Sequence, residues 1–82
     1  MSEKNNLEKL MLLLSRILDI NIDNISDETS PDNTENWDSY NGLMMVSELE
    51  SEFNVHFTMD EVVEVKNVGD IKAALIRHNI EL

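Results

Sequence analysis

The chain has 82 residues, 41% of them hydrophobic, which suffices for one small domain but leaves little room for an enclosed active site. Six Lys and Arg residues stand against 17 Asp and Glu residues, and the net charge of −11 at pH 7 would repel nucleic acid and anionic membrane surfaces. No cysteine is present, which excludes disulfides, thiolate metal sites and cysteine nucleophiles.

The first ten residues, MSEKNNLEKL, carry charges where a signal peptide needs an apolar run. No stretch approaches the roughly 20 apolar residues of a membrane span. We therefore expect a cytoplasmic monomer that forms a single domain over residues 1–82. No basic residue occurs between Arg16 and Lys66, so its partners should present basic surfaces.

The first segment predicts a helix over about residues 4–18, because its apolar residues recur at the spacing of one helical face. That stripe comprises Leu7, Leu10, Met11, Leu14, Ile17 and Leu18. Residues 21–37 are rich in Asn, Asp, Ser and Thr and are interrupted by Pro31, which predicts a long ordered loop. The apolar anchors available to the loop are Ile20, Ile22 and Ile25.

A second helix is predicted to begin at Asp38 and Ser39, which are both good N-cap residues. Its buried stripe would consist of Met45, Val46, Leu49 and Phe53. Leu43 and Met44 fall towards the flank or the outer side of this helix. They are candidates for an exposed apolar contact, although both could simply be half-buried.

Residues 54–58 alternate apolar and polar side chains, but no second strand is evident, so we predict an extended connector. A short third helix is expected over residues 59–65, packing Val62, Val63 and Val65. A fourth begins after Asn67 as N-cap and buries Val68, Ile71, Ala74, Leu75 and Ile80. The predicted fold is all-α, a small four-helix bundle of three longer helices and one short helix, with a long loop between helices one and two.

Most candidate chemistry in the chain has a simpler structural interpretation. His56 and His78 lack partners at zinc-ligand or catalytic spacing, so we predict surface or boundary histidines. Four loop acids lack the order of a calcium-binding loop and are interpreted as solvated: Asp23, Asp27, Glu28 and Asp32.

One junction remains, Asn36-Trp37-Asp38-Ser39-Tyr40, where the polar loop meets the second helix. It resembles the Asp-Ser-Leu signature of the acyl carrier protein family, with Tyr40 in the place of leucine. Residues 48–53 resemble the acidic end of that family's second helix, and residues 67–71 resemble the start of its fourth. The resemblance spans nearly the whole chain.

The resemblance implies a carrier that is not an enzyme. A phosphopantetheinyl transferase would attach 4′-phosphopantetheine from coenzyme A to Ser39, with Asp38 and Tyr40 beside the arm. The arm would hold acyl or aminoacyl groups as thioesters for fatty-acid, polyketide, nonribosomal peptide or related biosynthesis. No internal base is placed to activate the Ser39 hydroxyl, so the transferase would supply that activation.

The resemblance also implies a partner-binding face on the second helix. Loading, condensing or transferring enzymes with basic patches would dock there against five residues: Leu43, Met44, Glu48, Glu50 and Glu52. The three glutamates are expected on one exposed helix face. Asn41 and Met44 occupy positions that are often acidic in fatty-acid carriers, which favours a dedicated partner.

Two other interpretations remain open. Ser39 can be a plain N-cap, and the acids can serve solubility alone, in which case the chain is an unmodified acidic interaction module for a basic partner. Tyr40 is the best support for this alternative. A small hydrolase or metal enzyme is disfavoured, because no nucleophile and base pair or ligand set is evident.

Overall fold

The computed structural model describes residues 5–82, and all regular secondary structure among them is helical. The helices are α1 (Asn6–Leu18), α2 (Ser39–Phe53), α3 (Met59–Glu64) and α4 (Val68–Arg77), with a short 3-10 turn at Ile22–Asn24. The prediction of an all-α fold with three longer helices, one short helix and a long first loop is confirmed. The predicted helix start at residue 4 lies outside the described residues.

The core lies where α1 packs against α2, with α4 and the loop covering it. From α1 it takes Leu10, Leu13, Leu14 and Leu18. The predicted burial of Leu7 is wrong, because this side chain lies in the first helical turn and is 37% exposed. Leu13, which the predicted stripe omitted, is buried instead. The buried side of α1 therefore extends around the helix to Leu13, beyond the predicted stripe, and does not include the first turn.

The long first loop is ordered by contacts with the core and with the first turn of α4. Ile25 is buried in the core, whereas Ile22 lies on the solvent side of the 3-10 turn, so its predicted role as an anchor is wrong. The backbone N–H of Gly69 donates to the Asp27 carbonyl at 2.9 Å, and Lys72 Nζ lies 2.6 Å from the Asp27 carboxylate. These contacts hold the middle of the loop on the first turn of α4.

The connector at residues 54–58 contains no strand, as expected, and leads into α3. Helix α3 contains no buried residue. Val62 on its inner side is half-buried, and so is Val65, which directly follows the helix. Val63 is 63% exposed, so its predicted packing is wrong. A six-residue helix has one inward face, and Val63 lies about 100° of helical rotation away from Val62.

The helices of the described part of the chain are short compared with a membrane-spanning helix, which needs about 20 residues. The longest helix, α2, has 15 residues. No helix within residues 5–82 is long and apolar enough to cross a membrane.

Candidate functional site

Ser39 lies at the start of α2, directly after Asp38, the residue that caps this helix. Asp38 is the N-cap, and its Oδ1 accepts a hydrogen bond from the Asn41 backbone N–H at 2.9 Å. Ser39 is therefore the first helical residue, and its interpretation as a plain N-cap is wrong. Its side chain is exposed, and no capping bond within residues 5–82 occupies its hydroxyl. The hydroxyl is free to react with an incoming group.

Asn36 fixes the chain just before this serine. Its Nδ2 donates to the Leu18 carbonyl at 2.8 Å, which ties the loop to the C-terminal end of α1. Its own carbonyl accepts from Asn41 Nδ2 at 2.6 Å. Because both amides bridge separate elements, Ser39 is held on a rigid junction. The sequence shows the polar side chains, but not that they bridge α1 to α2.

A cavity of about 590 Å³ opens beside Ser39, which is part of its rim. Apolar side chains from α2, α3, α4 and the connector form most of its wall, among them Leu43, Val46, Leu49, Phe57, Val62 and Ile71. A volume of this size is in the range of small-molecule sites. Met45, Leu49 and Phe53 are buried as predicted, whereas the predicted burial of Val46 is only partial because it faces the cavity.

One wall of the cavity carries the Glu61 carboxylate, which is held by polar contacts. The Glu61 carboxylate accepts from the Thr58 backbone N–H at 2.9 Å, and His78 Nε2 lies 3.0 and 3.1 Å from its two oxygens. Arg77 Nε is 3.8 Å away. The hydrogen bond from Thr58, and then that from His78, hold the pKa of Glu61 below its ordinary value. These contacts join α3 to the end of α4.

The remaining histidine is a surface residue. His56 is exposed, and its Nδ1 lies 3.7 Å from the Glu50 carboxylate. His78 is half-buried, so both histidines are surface or boundary residues as predicted. The Thr58-x-x-Glu61 capping box was readable from the sequence, but its contact with His78 spans 17 positions and was not.

The apolar residues of the predicted partner face are exposed near Ser39. Tyr40 is 70% exposed and Leu43 is 66% exposed, while Met44 is exposed at the margin. Their side chains therefore offer an uncovered apolar surface on the first turns of α2.

The three glutamates of that face do not share one side of α2, and the expectation that they would is wrong. Glu48 pairs with Arg16 at 3.1 Å and Glu52 with Lys9 at 3.7 Å, both on the side of α1. Glu50 instead accepts a hydrogen bond from the Phe57 backbone N–H at 2.9 Å, on the connector side. The reason is helical geometry, since residues four apart share a side and residues two apart do not.

Sequence reasoning included Trp37 in the junction around Ser39 but did not predict that it lines a cavity, and it did not assign Gly42 to the site. Trp37 is 8% exposed, and both residues line the cavity next to Asp38 and Ser39. An aromatic residue directly before a capping pair was the available signal for Trp37. Nothing in the sequence indicated that Gly42 faces it.

No group of three or more His, Asp or Glu side chains within residues 5–82 is arranged to hold a metal ion. The acidic and histidine side chains near the site have separate roles instead: Asp38 caps α2, and Glu61 contacts His78. The arrangement at Ser39 offers a hydroxyl, the free N–H groups of a helix N-terminus and an apolar cavity.

Residues 8–75 match the family model described as the phosphopantetheine attachment site. The chain belongs to the acyl carrier protein family. It is a carrier and not an enzyme, its cofactor is 4′-phosphopantetheine, and a phosphopantetheinyl transferase and biosynthetic enzymes are its general class of partner.

The fold of this carrier is also that of a solved structure. A protein of Mycobacterium tuberculosis described as an acyl carrier protein superposes with a TM-score of 0.76 at 23% sequence identity. The match covers 85% of this chain and 93% of the other. No curated protein sequence matches the chain. At this identity the structural likeness supports the fold alone.

The residues at the start of α2 fit the cofactor. A phosphodiester needs hydrogen-bond donors and a positive local potential, which the N-terminus of α2 supplies. The cofactor, when bound, supplies a terminal thiol that holds cargo as a thioester. The chain contributes an exposed hydroxyl on a rigid junction and an apolar cavity that opens beside it.

Proposed function

We propose that this carrier bears its arm on Ser39 and presents an acyl or aminoacyl group as a thioester to separate biosynthetic enzymes. The observation that carries the proposal is the placement of Ser39. Its hydroxyl is exposed at the first residue of α2, has no capping role, and lies on the rim of the 590 Å³ cavity.

The attachment step needs help from outside the chain. The Ser39 oxygen attacks the phosphorus of coenzyme A that bears the pantetheine, the phosphodiester forms, and adenosine 3′,5′-bisphosphate leaves with the serine proton taken up by a base. Oδ1 of the adjacent Asp38 already accepts the Asn41 N–H, and the residues that line the cavity beside Ser39 include no histidine or lysine. The transferase must therefore supply the base.

The cavity favours cargo with an apolar portion. Its wall is built mainly from Leu, Val, Ile and Phe side chains, and burying an apolar chain there releases about 25 cal/mol for each Å² removed from water. An acyl chain folded into this space would be shielded from hydrolysis until a partner enzyme draws it out.

The proposed partner face is the exposed apolar surface of Tyr40, Leu43 and Met44, flanked by the acids of α2. Asp38 and Tyr40 border the arm. Basic patches on the loading, condensing or transferring enzymes would meet Glu48, Glu50 and Glu52 from different sides of the helix. The cytoplasmic, monomeric, single-domain setting over residues 1–82 stays a prediction.

The test is enzymatic loading followed by intact-mass measurement. The purified apo protein is incubated with coenzyme A and a broad-range phosphopantetheinyl transferase, beside a Ser39→Ala control. We expect the wild type to gain the mass of one phosphopantetheine and the control to gain none. A gain in both would mean that Ser39 is the wrong residue.

No gain with any competent transferase would leave the interaction module as the better reading. The specific observation in its favour is the exposed Tyr40 ring beside the serine. In that case, the unmodified chain should bind a basic partner directly, and Ser39→Ala should not change the affinity.

A further inference from the structure

Besides the Ser39 hydroxyl that would bear the arm, the indole of Trp37 is the neutral side-chain hydrogen-bond donor in the wall of the cavity. This residue is the only tryptophan of the 82. Its side chain is more than nine-tenths buried and belongs to the core, yet one part of it faces the cavity along with Asp38, Ser39 and Gly42. The other members of the cavity wall are mostly hydrocarbon.

The orientation of the indole follows from Gly42. A methyl group built on this glycine would lie 3.7 Å from Trp37 Nε1 and 4.0 Å from Cδ1. The edge of the ring that carries Nε1 therefore faces α2 at Gly42, where the helix has no side chain. The absence of a side chain at Gly42 leaves room for about one methyl-sized group next to this edge, and both residues line the cavity.

The indole N–H has no acceptor among residues 5–82. A buried tryptophan N–H normally finds a partner, because leaving this donor unsatisfied away from water is unfavourable. Every fully enclosed side-chain nitrogen or oxygen in the described range does have a partner, so Nε1 is not sealed in. Since nearly all of the side chain is covered by protein, the cavity is the route by which an acceptor reaches the N–H.

We propose that Trp37 Nε1–H donates a hydrogen bond to a carbonyl oxygen that enters the cavity with the arm. The proposal rests on the attachment at Ser39. The oxygen belongs either to an amide of the arm or to the cargo. A neutral carbonyl fits better than the phosphate, because an anion would lose its hydration in the apolar wall without a cation to replace it. Trp37 is thus a binding residue whose position selects carbonyl groups close to Ser39.

The single tryptophan allows a direct measurement. In ¹⁵N-labelled protein, the indole N–H gives one isolated cross-peak, which is recorded for the apo form, the form loaded from coenzyme A, and the form loaded from hexanoyl-coenzyme A. We expect a downfield proton shift, slower exchange with solvent, and a nuclear Overhauser contact from Nε1–H to protons of the unlabelled arm. A shift on loading from coenzyme A assigns the oxygen to the arm. A shift only with the hexanoyl group assigns it to the cargo.

Gly42→Ala is the variant that tests the route. Its methyl group meets Trp37 at ordinary van der Waals distance, so the fold should be kept, and alanine favours the helix. The methyl fills the space from which the carbonyl approaches, and we expect the shift on loading to be lost or strongly reduced. Ser39→Ala, treated with the same reagents, is the control for untethered coenzyme A.

The outcomes separate the two proposals. If the wild type gains the arm by mass but its indole peak stays unmoved in both loaded forms, the role of Trp37 is overturned while the attachment stands. An equal shift in wild type and Gly42→Ala also overturns it, because the acceptor then does not pass Gly42. If no mass is gained, the attachment fails and this inference fails with it.

Discussion

Asp38 organises the site at the scale of single residues, because it relieves Ser39 of the capping role. Its carboxylate satisfies the Asn41 N–H, and its carbonyl begins the helix by accepting from the Gly42 N–H at 2.8 Å. The adjacent serine can then remain exposed and unbonded. The order of the pair Asp38-Ser39 therefore has a physical meaning, since a reversed order would use the hydroxyl as the cap.

Removing this cap should destabilise the protein. We expect Asp38→Ala to lower the free energy of unfolding by about 1 kcal/mol, whereas Asp38→Asn should lose much less because asparagine caps nearly as well. Urea denaturation followed by circular dichroism measures both variants. Equal losses in the two would indicate that the charge of Asp38 matters and that its hydrogen bond to Asn41 does not.

At the scale of elements, α2 divides its surface among three neighbours. Met45, Leu49 and Phe53 face the core, and Val46 faces the cavity. Glu48 and Glu52 face the basic residues of α1. This division explains why the helix has no single polar side. Its first turns, which bear Tyr40 and Leu43, are the part left uncovered.

Helix α3 is held by polar contacts rather than by burial. None of its six residues is buried, and its inner side forms part of the cavity wall. The capping box at Thr58 and Glu61 and the bonds from Glu61 to His78 tie it to α4. We therefore expect α3 to be the element whose amide hydrogens exchange first.

The charge of Glu61 makes this attachment sensitive to acid. Its pKa in the folded protein is below the ordinary value of 4.5, mainly through the Thr58 N–H and then through His78. A lowered pKa in the folded state gives stability that is present at pH above 4.5 and is lost as the pH falls through the lower value. The wild type should lose this part of its stability in acid.

Glu61→Gln tests this expectation, because glutamine keeps the capping box but not the charge. The wild type should be more stable than the variant at neutral pH, and the difference should disappear well below pH 4.5. Urea denaturation across this range measures the difference, and hydrogen exchange of α3 amides locates it. A difference that is the same at every pH would contradict the assigned role of the charge.

At the scale of the whole molecule, the net charge of −11 is distributed unevenly. Lys9, Arg16, Lys72 and Arg77 each lie within 4 Å of a carboxylate. Of the four loop acids predicted to be solvated, Asp27 is instead paired with Lys72, so that prediction is wrong for it. The exposed acids Asp23, Glu28, Asp32 and Glu35 have no basic side chain within 4 Å among the described residues. We therefore expect a basic partner to be attracted by the net negative charge and by the exposed acids of the loop that leads to Ser39, and this attraction should be screened by salt.

The rate of transferase modification should report this attraction. We expect kcat/KM to fall about tenfold or more between about 0.05 M and about 0.5 M salt. Glu48→Lys should lower it further at low salt. Glu8→Lys is the matched control, because it makes the same charge change in the first turn of α1, away from the Ser39 end.

Equal slowing by Glu48→Lys and Glu8→Lys would mean that net charge alone attracts the transferase, and the partner-face assignment of Glu48 would fail. Circular dichroism spectra of both variants check that the helices persist. Glu48→Lys places a lysine beside Arg16, and Glu8→Lys places one in the first turn of α1, so a small loss of stability is expected from both variants.

The sequence by itself determined the helical class, the order and approximate ends of the helices, and the candidate serine. These features depend on local signals: apolar periodicity in α1, capping residues at Asp38 and Asn67, and the short motif around Ser39. Local signals are readable because the interacting groups lie within one or two helical turns of each other.

Tertiary structure alone decided how these parts work together. The packing of the helices and the loop determines four features. These are the cavity, the edge of Trp37 turned to Gly42, the contact between His78 and Glu61, and the separation of Glu48 from Glu50. Periodicity predicts which face of a helix is covered but not what covers it. For that reason the burial of Leu13 and of Trp37 was not predicted, and Leu7 and Val63 were predicted to be buried although solvent reaches both.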